Sequence, residues 1–214
     1  MTVRRCAFCD AGAQYRDRAS NQDLCLAHAR LAVVAVGQSS QGGPGSPLAI
    51  RCAVAADSAR IEELALHFWD ETVVDCFDRQ YDVRACPAFV ACDGEQVVGA
   101  AVFAVEEAWN AFVLLMLNVL PGFQGRGGGR SLLDALCLEA SRRGLDRLLV
   151  VTTNDDLPAL ALYQRYGFRI TEIVVGRVAT DHGAGRDGQV LAGFAGIPVR
   201  DEIRLELHVA SQGA

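Results

Sequence analysis

The sequence predicts an α/β fold in which a mixed, mostly antiparallel central sheet carries helices on both faces, preceded by a small N-terminal module. Three observations lead there. Strand-like and helix-like apolar patterns follow one another in the order β-α-β-β-β-α-β-α-β-β between residues 50 and 209. A Gly/Ser/Pro-rich run, Gly37 to Pro47, has no apolar periodicity and reads as a flexible linker. A chain of 214 residues, 51% of them hydrophobic, suffices for one full core and a small extra piece. The division is therefore 1–36, 37–47 and 48–214.

In the larger segment, Ile50 to Ala55 alternates as a first strand, and Asp57 or Ser58 caps a helix. Ile61, Leu64, Ala65, Phe68, Trp69, Val73, Cys76 and Phe77 fall on one face of that helix. Pro87 to Cys92 and Gln96 to Val105 form two strands, joined through a hairpin turn at Asp93-Gly94. Phe112 to Val119 is nearly unbroken in its apolarity, as expected of a central strand buried on both faces. Leu132, Leu133, Leu136, Cys137 and Ala140 mark the inward face of a second helix, which Gly144 ends. Leu148 to Thr152 is a strand. Asn154 to Asp156 then cap a short helix bearing Leu160, Leu162, Tyr163 and Tyr166. Ile170 to Val175 and Ile203 to Val209 are the last strands, separated by an irregular excursion, Gly176 to Arg200.

The stretch Val119-Leu120-Pro121-Gly122-Phe123-Gln124-Gly125-Arg126-Gly127-Gly128-Gly129-Arg130-Ser131 joins the apolar strand to the second helix. A glycine-rich loop opening a helix suits a phosphate, because the backbone can come close and the free N–H groups of the first turn point at it. Arg126 and Arg130 add positive charge to the rim. The Walker spacing is excluded, since the chain has no lysine. The dinucleotide spacing fails at its third glycine.

What the loop does match is Gln124-x-x-Gly127-x-Gly129, which resembles the pyrophosphate-binding signature of the GCN5-related N-acetyltransferases (GNAT). A second segment, Asn154 followed by Ala159-Leu160-Ala161-Leu162-Tyr163-Gln164-Arg165-Tyr166-Gly167-Phe168, is similar to the N-x(4–5)-A-x-x-x-Y-x-x-x-G-F segment of that family. The element order agrees as well, and the resemblance covers about residues 48 to 210. It implies an acetyltransferase-type sheet and an N-acetyltransferase that moves acetyl from acetyl-CoA to a primary amine in a ternary complex. It places the CoA pyrophosphate on Gln124, Gly125, Arg126, Gly127, Gly128, Gly129, Arg130 and Ser131, and the pantetheine arm along Leu117, Asn118 and Val119. The Val119 N–H then faces the thioester oxygen, Asn154 bonds the arm, and Tyr163 protonates the leaving thiolate. For the base, Glu71 and Glu106 are the leading candidates, with His67, Glu107 and Asn118 behind them; Asn118 is the one polar residue inside an apolar strand. Homodimers are common among relatives.

Cys6-x2-Cys9 and, fifteen residues on, Cys25-x2-His28 have the spacing of two metal-binding knuckles. Three thiolates and one imidazole complete a closed, structural Zn²⁺ site. Arg4, Arg5, Arg16, Arg18 and Arg30 make this module slightly basic, so it could contact a protein or nucleic acid, or dock on its neighbour. The competing reading of the whole is a non-catalytic acyl-CoA-binding scaffold whose zinc module holds such a partner.

The net charge of −6 argues against a dedicated nucleic-acid binder. All 20 basic residues are arginine, which points to a bacterial, G+C-rich source rather than to function. No segment is long enough to cross a bilayer, and Met1 to Cys6 leads into no apolar core. The expected place is the cytoplasm, with the eight cysteines reduced or metal-bound.

Overall fold

The computed structural model describes residues 47–178 and 192–209, together with the backbone of two short strands. These are β1 (Tyr15–Asp17) and β2 (Gln22–Leu24), which pair antiparallel. The chain divides into two compact units. One holds Met1–Gln41, Thr152–Ala161 and Glu172–Ile203; the other holds Gly42–Val151, Leu162–Thr171 and Arg204–Ala214. Cys6, Cys9, Cys25 and His28 lie outside the described residues, as does nearly all of the linker.

The main sheet has seven strands in the order β10-β11-β9-β8-β7-β6-β3. Its strands are β3 (Ala49–Cys52), β6 (Ala88–Asp93), β7 (Gln96–Glu106), β8 (Ala111–Val119), β9 (Arg147–Thr153), β10 (Arg169–Val174) and β11 (Glu202–His208). β3, β6, β7 and β8 form an antiparallel run, and β9 pairs parallel to β8. Alternation sends β7 and β8 side chains to two cores. Helix α1 (Ser58–Trp69) lays Ile61, Leu64, Ala65 and Phe68 with Ala100, Val102, Val113 and Met116. Helix α2 (Gly128–Arg142) buries Leu132, Leu133, Leu136 and Ala140 completely. Phe89, Phe103 and Phe112, on the alternate positions of their strands, pack in series, the first pair stacked at 5.8 Å and the second tilted at 4.5 Å. The mixed sheet with helices that the sequence predicts is thus present.

The start of α1 is fixed by charge. Asp57 accepts the Val54 N–H at 2.8 Å and is gripped by both terminal nitrogens of Arg51, at 2.6 and 2.8 Å. Arg51 first, and the Val54 N–H second, pull the Asp57 carboxyl down to about 2.

The end of α1 differs from the sequence expectation. The helix stops at Trp69, where Asp70 takes the left-handed conformation (φ 63°) and closes on Leu66 O. Val73, Cys76 and Phe77 do not continue it. Val73–Cys76 is strand β4, paired with β5 (Arg79–Asp82) across a Phe77-Asp78 turn in which both residues have positive φ. Thr72, Val73 and Val74 are β-branched and favour an extended chain, and their coincidence with helical spacing hid the hairpin. The two-residue turn is of the primed kind, unusual without glycine. Trp109 edge-on to Phe77 (6.0 Å) and Arg204, bonded to Asp78 at 3.0 Å, hold it.

Candidate active site

The site is built on the end of β8 and the loop that follows. The β8–β9 ladder runs only from Ala111↔Arg147 to Leu114↔Val150, so residues 115–119 of β8 have no ladder partner on that side. On the other side, Leu120 N–H donates to Val98 O at 2.9 Å. Hydrogen-bonded pairs alternate in an antiparallel ladder, so Ala100↔Asn118 is bonded and the N–H and C=O of Leu117 and Val119 turn to the open edge. Gln124 Nε2 donates to Val119 O at 2.8 Å. Its side chain therefore latches the loop to the strand and occupies the carbonyl, leaving the Val119 N–H exposed at that edge. Gly99, opposite Val119, permits this close approach: a Cβ there would stand 2.6 Å from Asn118 O.

Beyond the latch, Gly125 and Gly127 have positive φ (76° and 80°), and α2 begins. Ser131 N–H closes the first turn on Gly127 O at 3.0 Å. The N–H groups of Gly127, Gly128, Gly129 and Arg130 find no acceptor among the described residues. A Cβ at Gly127 would meet nothing within 4 Å. Open space in front of unpaired donors at a helix N-terminus is what a pyrophosphate fits. Arg126 sits on Asp93 at 2.8 Å, with its side chain mostly buried, and so braces the loop against the β6–β7 turn. Arg130 makes no ion pair among the described residues and lies over the Tyr166 ring at 5.4 Å, so it is the rim cation left for an anion.

Helix α3 (Leu157–Tyr166) brings its C-terminal half to this loop within the same unit. Leu162 stands where a Cβ on Gly129 would touch it at 3.4 Å. Tyr166 donates to Asp134 Oδ1 at 2.7 Å and lies 3.4 Å from Cys137 Sγ. Burial first, then these two partners, push the Tyr166 phenol above its ordinary range, which makes it a poor proton donor. Tyr163 is buried and tilted against Phe168 at 5.4 Å.

Asn118 lies one residue before Val119, opposite Ala100. Its Nδ2 is the one buried side-chain nitrogen or oxygen without a hydrogen-bond partner among the described residues.

Three sequence-assigned residues are placed differently. Glu106 pairs with Ala111 at the far end of β7–β8, eight residues from Val119, or about 26 Å along the strand. It also accepts from Arg79 (2.5 Å) and Tyr81 (2.7 Å), at the end of the ladder away from Val119. Asn154 belongs to the smaller unit, where its Oδ1 accepts from Arg200 and Asp201 N–H (2.8 and 2.9 Å) and its Nδ2 donates to Pro198 O (2.9 Å). That clamp takes the amide which the resemblance gives to the pantetheine arm. Gln124, expected in the cradle through its backbone N–H, donates that N–H to Pro121 O at 3.3 Å and acts through its side chain on Val119 O. Glu71, just past α1, is exposed and without an ion pair among the described residues. The Gln124 latch and the lone Asn118 amide could not be read from spacing, although Asn118 was marked by its polarity.

The sequence model of the Acetyltransferase (GNAT) family matches residues 58–168, more than half of the chain. The chain belongs to the GNAT acetyltransferase family. It is 30% identical over 139 residues to an L-methionine sulfoximine/L-methionine sulfone acetyltransferase of Salmonella typhimurium, covering 58% of this chain and 81% of that protein. It is 31% identical over 113 residues to YxbD of Bacillus subtilis (strain 168), covering 53% and 68% respectively. Among solved structures, a Bacillus subtilis acetyltransferase in complex with CoA matches with a TM-score of 0.60 and 21% identity, over 77% of this chain and all of that one. This GNAT chain is accordingly an acetyl-CoA-dependent N-acetyltransferase. Among the described residues no helix is long and apolar enough to cross a membrane, and no cluster of His, Cys, Asp or Glu could hold a metal.

Proposed function

We propose that the chain transfers the acetyl group by direct attack of a primary amine, on a site formed by the open β8 edge, the 124–131 loop and Tyr163. The observation that supports this most is the Val119 N–H at an unpaired strand edge, directly before a loop with four unpaired backbone donors. Bound acetyl-CoA would supply the acetyl group already activated as a thioester. The 127–130 N–H groups and Arg130 would hold its pyrophosphate. The Val119 N–H would polarise the carbonyl oxygen and stabilise the charge that builds there. An N–C bond forms and the C–S bond breaks; Tyr163 gives its proton to the departing sulfur, and the amine's proton passes to a base. Glu71 is our assignment for that base, through water, since Glu106 lies at the other end of the hairpin. The Salmonella relative named for amino-acid analogues puts α-amino acids first in an acceptor panel.

Tyr163→Phe tests the acid. We expect kcat to fall by roughly 10²-fold or more while acetyl-CoA affinity stays within about twofold. Unchanged kcat would remove the assignment.

The N-terminal module is the second part of the reading: a structural Zn²⁺ held by Cys6, Cys9, Cys25 and His28, available to a protein or nucleic-acid partner. It rests on spacing, and is supported by a β1–β2 hairpin lying between the two ligand pairs, with β2 ending at Leu24 directly before Cys25. Metal analysis decides it: wild type should carry one zinc per chain and Cys6→Ser should not, and a zinc-free wild type refutes it.

A further inference from the structure

We propose that Asn118 recognises the acceptor, and that the acceptor is an amine of the α-amino-acid type, with a carboxylate oxygen next to the nitrogen that reacts. The proposal rests on the Val119 N–H holding the thioester carbonyl.

Residues 116, 118 and 120 share one face of β8. Met116 belongs to the core cluster that α1 covers, Leu120 packs against it, and Ala100, opposite Asn118, belongs to it too. Val119 points the other way, with its methyl groups toward Gly128 at the start of α2. The cradle and the Asn118 amide are therefore on opposite faces of one strand, which separates the amide from the pyrophosphate. The reacting carbonyl sits at the strand edge between them. Asn118 and Val119 are consecutive, with Cα atoms about 3.8 Å apart, so the amide is anchored next to the residue whose N–H faces the carbonyl.

A buried amide donor without a partner is costly, and an apolar strand would satisfy its packing with Leu or Val. An unpaired N–H donor lacks an oxygen. The atom best placed to supply one is on the molecule whose nitrogen attacks beside Val119. An α-amino acid carries a carboxylate oxygen next to its amine; alkylamines and polyamines carry none. No described residue supplies that oxygen.

The test uses thiol-release kinetics with acetyl-CoA, a panel of L-α-amino acids and the corresponding decarboxylated amines, on wild type and Asn118→Leu. Acetyl-CoA titration and thermal unfolding run in parallel. At least one amino acid should saturate the wild type, with its decarboxylated amine lower in kcat/KM by roughly tenfold to a hundredfold. Asn118→Leu should bring the amino acid down to the level of the amine, mainly through KM, leave acetyl-CoA affinity unchanged, and raise Tm by removing the unpaired donor. A structural role would instead lower Tm and leave KM alone, which overturns the proposal. So does a wild type that binds acetyl-CoA and turns over none of the amino acids, or prefers the amines. A wild type that binds no acetyl-CoA removes the cradle assignment itself, and this proposal with it.

Discussion

Two strand-to-helix turns in this chain hold the same place between a strand and a helix, differ in sequence, and do opposite things. After β8, residues 124–131 leave the donors of 127–130 unpaired and an open space at Gly127. After β9, residues 154–156 have side chains fully engaged. Asn154 clamps 198–201; Asp155, fully buried, accepts Thr153 Oγ1 at 2.5 Å and Phe194 N–H at 3.2 Å; Asp156 accepts Ala159 N–H at 3.2 Å. Polar residues in the second turn satisfy the chain itself. Glycines in the first remove side chains that could do so, and the unmet donors are left for a ligand. A binding turn is marked by what it leaves unsatisfied.

Substitutions can break this contrast, beginning with the largest effect. At Gly193, a Cβ would stand 1.8 Å from Asp155 Oδ2. Gly193→Ala should displace a buried carboxylate and cost about 3 kcal/mol or more, a fall in Tm of roughly 6–12 °C by calorimetry. A variant as stable as wild type would mean that the second turn is not the clamp described.

Asn154→Ala removes three hydrogen bonds and should cost about 2 kcal/mol in denaturant unfolding, with acetyl-CoA affinity held within about twofold. The reverse result, tenfold weaker binding at full stability, would return Asn154 to the pantetheine arm. Arg130→Ala should weaken acetyl-CoA by roughly tenfold and flatten the salt dependence of its affinity, without changing Tm measurably.

The smallest effect concerns Asp57. Its folded pKa of about 2 lies below the ordinary carboxylate value, so its contribution is complete above about pH 4 and is lost as pH falls toward 2. Asp57→Asn should be less stable than wild type at pH 7, and the gap should close between pH 4 and 2. A gap constant with pH would assign the effect to packing instead.

The glycine loop was legible because its chemistry is local: spacing alone gives a glycine-rich turn opening a helix, although the helix starts at Gly128, ahead of the apolar pattern at Leu132. The strand before it was legible from unbroken apolarity. The β4–β5 hairpin was not, since Val73, Cys76 and Phe77 satisfy a helical period by accident. Glu106 was one of several carboxylates open as the base, and a sequence does not say which end of a hairpin faces a ligand. Asn154 finds its partners 44 to 47 residues away, a distance no local pattern reports. Asn118 stood out as polar among apolar neighbours; only the structure shows that its amide is unpaired.

The most direct test of the central claim is calorimetric titration of acetyl-CoA into wild type and Gly127→Glu. Apart from its own chain neighbours, no atom of the described residues lies within 4 Å of a Cβ at this position, so a carboxylate there would meet the bound anion rather than the protein. Backbone strain at φ 80° should cost only about 1 kcal/mol of stability. Saturable binding by wild type, abolished in a folded Gly127→Glu, is the predicted result. Equal binding by both proteins would contradict it and move the pyrophosphate away from this loop.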